Sequence, residues 1–147
     1  MPTTSNPVEA WESLFRAQVS IMRELRGEFA SNSMSMNEYD VLFNLARCPG
    51  RSQRIRDLNR NLLLTQPSVS RLIDRLAARG LVTKRADPGD ARGIVVALTD
   101  DGFDLFRQVA VAHSASISRI MTNALPPEQL EQLQRITEAL RHEVETA

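Results

Sequence analysis

The chain has 147 residues, enough for one domain with terminal extensions, and its 42% apolar and 24% charged content is that of a soluble globular protein. Its longest apolar runs are a few residues, against the roughly 20 needed to cross a bilayer, so no membrane partner is expected. The formal net charge is zero, which taken whole argues against a polyanionic partner.

The distribution reverses that impression. Residues 52–92 hold nine cations against four anions, a net +5, whereas residues 93–147 hold four against eight, a net −4. A basic middle between acidic flanks is the layout of a local polyanion-binding surface. The single cysteine, Cys48, excludes an internal disulfide and reads as a small apolar filler at a helix end. Met1–Pro7 lacks a basic stretch followed by an apolar core, so a cytoplasmic location is expected.

Val8 to Ala30 predicts a long first helix, with Val8, Trp11, Phe15, Met22, Leu25 and Phe29 at roughly helical spacing. Its length is large for the domain, so part of it is expected to pack outside its own core. Ser31-Asn32-Ser33 breaks it. Ser35-Met36-Asn37-Glu38 is a capping box and opens a second helix to about Arg47, with Tyr39, Leu42, Phe43 and Ala46 on its apolar face. Pro49-Gly50 stops it, and Gln53–Ile55 is compatible with a very short strand.

Asp57 to Leu63 predicts a short third helix. After a turn of only Leu64-Thr65, Pro67 opens a fourth, where proline is tolerated because first-turn N–H groups lack intrahelical partners. Val69, Leu72, Ile73 and Leu76 form a clean buried stripe, and Gly80 is the stop. Leu81–Arg85 and Ile94–Leu98 read as strands of a hairpin whose loop is Asp87–Gly93. Thr99 caps a fifth helix to about Asn123, with Asp100 and Asp101 favourably placed at its N-terminus. A last helix starts near Glu128 and carries Leu130, Leu133, Ile136, Leu140 and Val144.

If the stripe of the fourth helix faces inward, Ser68, Arg71, Asp74 and Arg75 face out, with Gln66 and Ser70 beside them. Short hydroxyl and amide donors and planar guanidinium groups on the N-terminal half of a helix suit base edges and phosphates, arginine bonding bidentately to guanine. Two helices, a short turn and a hairpin follow the helix-turn-helix plan. Arg92, expected at the tip of the hairpin loop, suits a narrow minor groove, where negative potential is focused. Asp90 is expected to shape the loop by bonding a nearby arginine or backbone N–H.

Ser68-Val69-Ser70-Arg71-Leu72-Ile73-Asp74-Arg75-Leu76, Arg79-Gly80-Leu81-Val82, Asp90-Ala91-Arg92-Gly93 and Leu98-Thr99-Asp100-Asp101-Gly102 together resemble the MarR family of bacterial transcriptional regulators, over about Trp11 to Leu140. The resemblance implies a mainly α fold with a small β-hairpin wing: a winged helix-turn-helix over residues 35–99, flanked by helical dimerisation segments at 1–34 and 100–147. It implies a homodimer that binds a palindromic operator, usually as a repressor released by a small aromatic or anionic effector. Ser68, Ser70 and Arg71 then look like base or backbone contacts on the recognition helix, Arg75 like a phosphate or wing-anchoring residue, and Asp90 and Arg92 like the wing's Asp-x-Arg pair. Ala91 stands where many members have another basic residue, and Arg56 where the third helix usually has a Ser or Thr cap.

Trp11, Phe15, Tyr39 and Phe43 are candidates for an effector pocket, although aromatics at helical spacing are more often core. The alternatives are a winged-helix protein-interaction module that does not bind DNA, and a constitutive DNA binder without effector. No nucleophile–base pair, phosphate-cradling glycine loop or metal-ligand motif is present, so no enzyme activity and no cofactor are expected. His113 and His142 lie on different helices without a ligand cluster, so no metal site is expected.

Overall fold

The computed structural model describes residues 6–29, 33–62 and 64–147. In chain order it forms α1 (Pro7–Phe29), α2 (Met36–Ala46), β1 (Ser52–Arg54), α3 (Ile55–Arg60), α4 (Gln66–Ala78), β2 (Val82–Asp87), β3 (Asp90–Leu98), α5 (Asp100–Ala124) and α6 (Pro127–Thr146). A single 3-10 turn, Pro49–Arg51, precedes β1. The mainly α fold with a small β-hairpin is the one the patterning predicts. The chain divides into two compact units, one built from residues through Leu25 with Ala112–Ala147, the other from Arg26–Val111. Among the described residues no helix is long and apolar enough to cross a membrane.

The second unit holds the core. Val69, Ile73 and Leu76 of α4 are fully buried with Leu72 nearly so, beside Val41, Leu42 and Leu45 of α2, Leu58 of α3, Val82 of β2 and Val96 of β3. Each such side chain contributes about 1.5–3 kcal/mol relative to exposure, so the stripe fixes which face of α4 is left outside. The strands form one antiparallel sheet in the order β1-β3-β2, with Gln53 opposite Val96 and Thr83 opposite Ala97.

Local chemistry sets the helix ends. The Ser35 hydroxyl accepts the Glu38 N–H and the Glu38 carboxylate accepts the Ser35 N–H, both at 3.2 Å, completing the capping box. Thr65 caps α4 by accepting the Ser68 N–H at 3.4 Å. Gly80, at φ +73°, takes the left-handed conformation that ends it. Thr99 caps α5 through the Gly102 N–H at 3.0 Å. Arg51 is the one non-glycine among the described residues with positive φ, and its guanidinium lies 3.6 Å from the centre of the Phe103 ring.

Two expectations are corrected. The third helix is Ile55–Arg60, not Asp57–Leu63, so five residues rather than two separate it from α4. Leu62 is still buried, but past the helix end, and Leu63 lies outside the described residues. The hairpin loop is not the seven residues Asp87–Gly93 but Pro88-Gly89 alone, because cross-strand pairing extends β2 to Asp87 and starts β3 at Asp90. Composition marks a loop there; strand pairing overrides it by absorbing the extra residues as a bulge.

The first unit is built differently. α6 has no buried residue, and the unit exposes Trp11, Phe15, Ile136, Leu140 and Val144. A groove of 420 Å³ runs between α1, α5 and α6, lined by Leu14, Ile21, Met22, Met121, Leu130 and Leu133 among others.

Candidate nucleic-acid interface

With Val69, Leu72, Ile73 and Leu76 buried, α4 presents Gln66, Ser70, Arg71, Asp74 and Arg75 to solvent, with Ser68 half-buried at the edge. The Ser68 hydroxyl is already engaged: it accepts from the Thr65 hydroxyl at 2.9 Å and from Arg71 Nη2 at 3.4 Å. Ser68 therefore orients Arg71 as well as standing beside it.

The charges of this segment sort into two groups. Its four carboxylates are all held internally: Asp57 lies 3.7 Å from Arg60, Asp74 2.5 Å from Lys84 and Asp87 2.6 Å from Arg54, while Asp90 accepts the Arg92 N–H at 3.0 Å. Arg79 is also occupied, at 3.2 Å from Glu38 on α2 and 3.0 Å from the Ser33 carbonyl. What is left over is cationic. Arg56, Arg71, Arg75, Arg85 and Arg92 are all exposed, and none has a carboxylate within 4.0 Å among the described residues. Exposed ion pairs are worth at most about 1 kcal/mol, so five unpaired arginines are not a stability device. They make a positive surface over α3, α4 and the hairpin, suited to phosphates and guanine edges.

Neither Arg56, read from the sequence only as a departure at the cap of the third helix, nor Arg85 is among the DNA contacts expected from the sequence. Arg56 sits in the first turn of α3 and Arg85 on the exposed run of β2, where surface charge gives no distinguishing local pattern. Arg92 lies in the bulge of β3, not at the hairpin tip, which is Pro88-Gly89. The bulge is Ala91-Arg92-Gly93: Ala86 pairs with Ile94 and Asp87 with Asp90, leaving these three without partners on β2. Asp90 holds its shape through the backbone N–H of Arg92, and not through an arginine side chain.

The model of the MarR family matches residues 32–93, the stretch that carries this surface. AbsC, a MarR family transcriptional regulator from Streptomyces coelicolor, superposes with a TM-score of 0.81 at 26% identity, covering 97% of this chain and 98% of its own. Over residues 32–93, its helix-turn-helix and hairpin, the chain is similar to the MarR family. Sco3205, another MarR family transcriptional regulator from Streptomyces coelicolor, was solved in complex with DNA; it matches at a TM-score of 0.79 and 26% identity, over 96% of this chain and 90% of that one. YkoM of Bacillus subtilis, an HTH-type transcriptional regulator, is 30% identical over 77 residues, which are 52% of this chain and half the length of YkoM. These relatives are regulators rather than enzymes.

The four aromatic effector candidates do not share one unit. Trp11 and Phe15, 6.0 Å apart between ring centres, are exposed on α1 in the first unit. Tyr39 and Phe43 belong to the second, where Tyr39 is buried against Phe29 at 5.5 Å and Phe106 at 5.4 Å. Burial, and secondarily the neighbouring Asp40 carboxylate, push the Tyr39 hydroxyl above its usual range. Tyr39 is thus a core aromatic, while Phe43 is partly exposed with the Arg47 guanidinium 5.3 Å over its ring. A cleft of 300 Å³ in the same unit is lined by Arg26, Phe29, Ser35, Met36 and Asn37 instead. Arg26 and Phe29 were not legible as pocket residues, since helical spacing placed them simply on α1. Cys48 donates to the Asn44 carbonyl at 3.1 Å, and no cluster of metal-binding side chains occurs among the described residues.

Proposed function

We propose that the protein is a sequence-specific, ligand-responsive transcriptional repressor that binds a palindromic operator as a homodimer. The observation that carries the DNA reading is the sorting of charge just described: every carboxylate of the basic segment is engaged inside the protein, and Arg56, Arg71, Arg75, Arg85 and Arg92 are left free on one structural module. Arg71 and Arg75, with Gln66, Ser68 and Ser70 around them, are the major-groove contacts of α4, and Arg92 on the β3 bulge is the minor-groove contact, held by Asp90. The DNA complex of Sco3205 supports this assignment of partner.

The homodimer is supported by the first unit. Its exposed Trp11, Phe15, Ile136, Leu140 and Val144 make an apolar surface that a second copy would bury in a two-fold interface. The effector is a small aromatic or anionic molecule. The cleft at Arg26 and Phe29 supplies the two chemistries it needs, a cation and a ring, and Trp11, Phe15, Tyr39 and Phe43 are the further candidates. Release from DNA follows when such a molecule binds better to a subunit separation that does not fit the operator, by no more than its differential affinity.

Selection of duplexes from a random pool by the wild-type protein tests the reading, with sedimentation to count subunits. An enriched inverted repeat bound by a dimer is expected. Enrichment of no duplex would leave the winged-helix protein-interaction module as the better account.

A further inference from the structure

The wing contains a buried carboxylate, paired with a partly exposed arginine, that nothing in its surface role requires. Asp87 is the only charged residue in the core among the described residues, with a side chain 4% exposed, on a strand whose preceding four residues all face solvent. Its two carboxylate oxygens are divided. Oδ1 accepts the Gly89 N–H at 2.9 Å, closing the hairpin turn. Oδ2 meets Arg54 Nε at 2.6 Å. The side chain also fills the space under the bulge: a Cβ added to Gly93 would stand 3.0 Å from Asp87 Cβ and 3.2 Å from Oδ2. Arg54 Nη2 reaches under the turn, 3.5 Å from where a Cβ on Gly89 would be.

Arg54 is itself a junction. It is the last residue of β1, paired with Val95 of β3, and the residue at the N-cap of α3. One ion pair therefore joins the entrance of the helix-turn-helix to both the turn and the bulge of the wing. The Gly89 N–H holds Oδ1 and the Arg54 guanidinium meets Oδ2, so loss of Arg54 would leave a buried charge without its counter-ion, which must rearrange.

We propose that Arg54 and Asp87 form a latch that positions Arg92 for DNA, so that Arg54, although part of the basic segment, is a positioning residue and not a phosphate contact. The inference rests on the DNA reading above. It makes a prediction opposite in sign to simple electrostatics. Removing a carboxylate from a DNA-facing module should tighten binding; Asp87→Asn should weaken it, because Arg92 loses its place.

The test is a double-mutant cycle by fluorescence anisotropy on the duplex selected by the wild-type protein, with Asp87→Asn, Arg92→Ala and the pair, and Arg71→Ala as the independent site. Asp87→Asn is expected to bind about fivefold to tenfold more weakly, and the Asp87→Asn/Arg92→Ala pair no more weakly than Arg92→Ala alone, whereas effects with Arg71→Ala multiply. Circular dichroism confirms folding; if Asp87→Asn does not fold, Asp87→Glu, which keeps the charge but displaces it by a methylene, takes its place with the same expectation. Binding of the Asp87 variant as tight as wild type or tighter, or multiplication of its effect with that of Arg92→Ala, overturns the latch alone. A wild-type protein that binds no duplex overturns the DNA reading and the latch with it.

Discussion

The Thr99 hydroxyl donates to the Gly80 carbonyl at 2.7 Å, tying the residue that ends α4 to the residue that begins α5. The Thr99 N–H adds a second tie, to the Leu81 carbonyl at 3.1 Å. The end of α4 and the approach to β2 are thereby clamped to the start of α5. Gly102 completes the clamp, because a Cβ there would overlap the Leu81 carbonyl oxygen and crowd Leu98.

Gly102→Ala is therefore expected to destabilise the fold by about 3 kcal/mol, the upper end of what overpacking against backbone costs. Urea unfolding of the two proteins measures it. A change below about 1 kcal/mol would mean that the α5 start can move away from Leu81 freely.

The Asp74–Lys84 pair predicts a gain of function. Asp74 is the one carboxylate on the exposed face of α4, and it occupies the Lys84 ammonium. Asp74→Asn removes a charge that repels phosphate and frees a cation, so binding to DNA of any sequence should tighten and the dependence of log Kd on log salt should steepen by about one contact's worth, 0.9. Stability should change by less than about 1 kcal/mol, since the pair is exposed. Weaker binding restricted to one base position would instead identify Asp74 as a base contact.

A pH dependence follows from Asp40. Burial raises its carboxyl above the ordinary value of 3.8, with Arg26 acting in the opposite direction. The folded state thus holds this proton more tightly than the unfolded chain. The stability Asp40 contributes is fully present below 3.8 and is lost as pH rises through the raised folded value. Asp40→Asn, which cannot ionise, should be more stable than wild type at neutral pH, with the difference shrinking toward acid. Thermal melts of both proteins across that range check it; an equal difference at all pH values would assign the effect to packing.

Much of this was legible because its signals are local. The spacing of Val69, Leu72, Ile73 and Leu76 identifies the buried side of α4, and Thr65, Ser35 with Glu38, and Gly80 mark helix ends by their own hydrogen-bonding and backbone preferences. The hairpin was legible as a hairpin but not in its register, since pairing of Asp87 with Asp90 is decided by the partner strand and not by composition. The start of α3 was misplaced because Arg54, at its N-cap, makes no side-chain cap that a pattern could reveal. The Arg54–Asp87 pair had no signal at all. Asp87 reads as one more turn residue beside Pro88, and only folding brings it to Arg54. The separation of paired from unpaired arginines is likewise invisible in a charge count, because both kinds contribute equally to the net +5 of residues 52–92.

The central claim is that the unpaired arginines of α4 and the wing hold DNA. Anisotropy titrations of the selected duplex at about 50 and 200 mM salt, with wild type, Arg71→Ala and Arg92→Ala, test it most directly. Steep salt dependence of the wild type is predicted, with each variant about tenfold weaker and its salt slope reduced by about 0.9. Binding by both variants that matches wild type at both salt concentrations would contradict it.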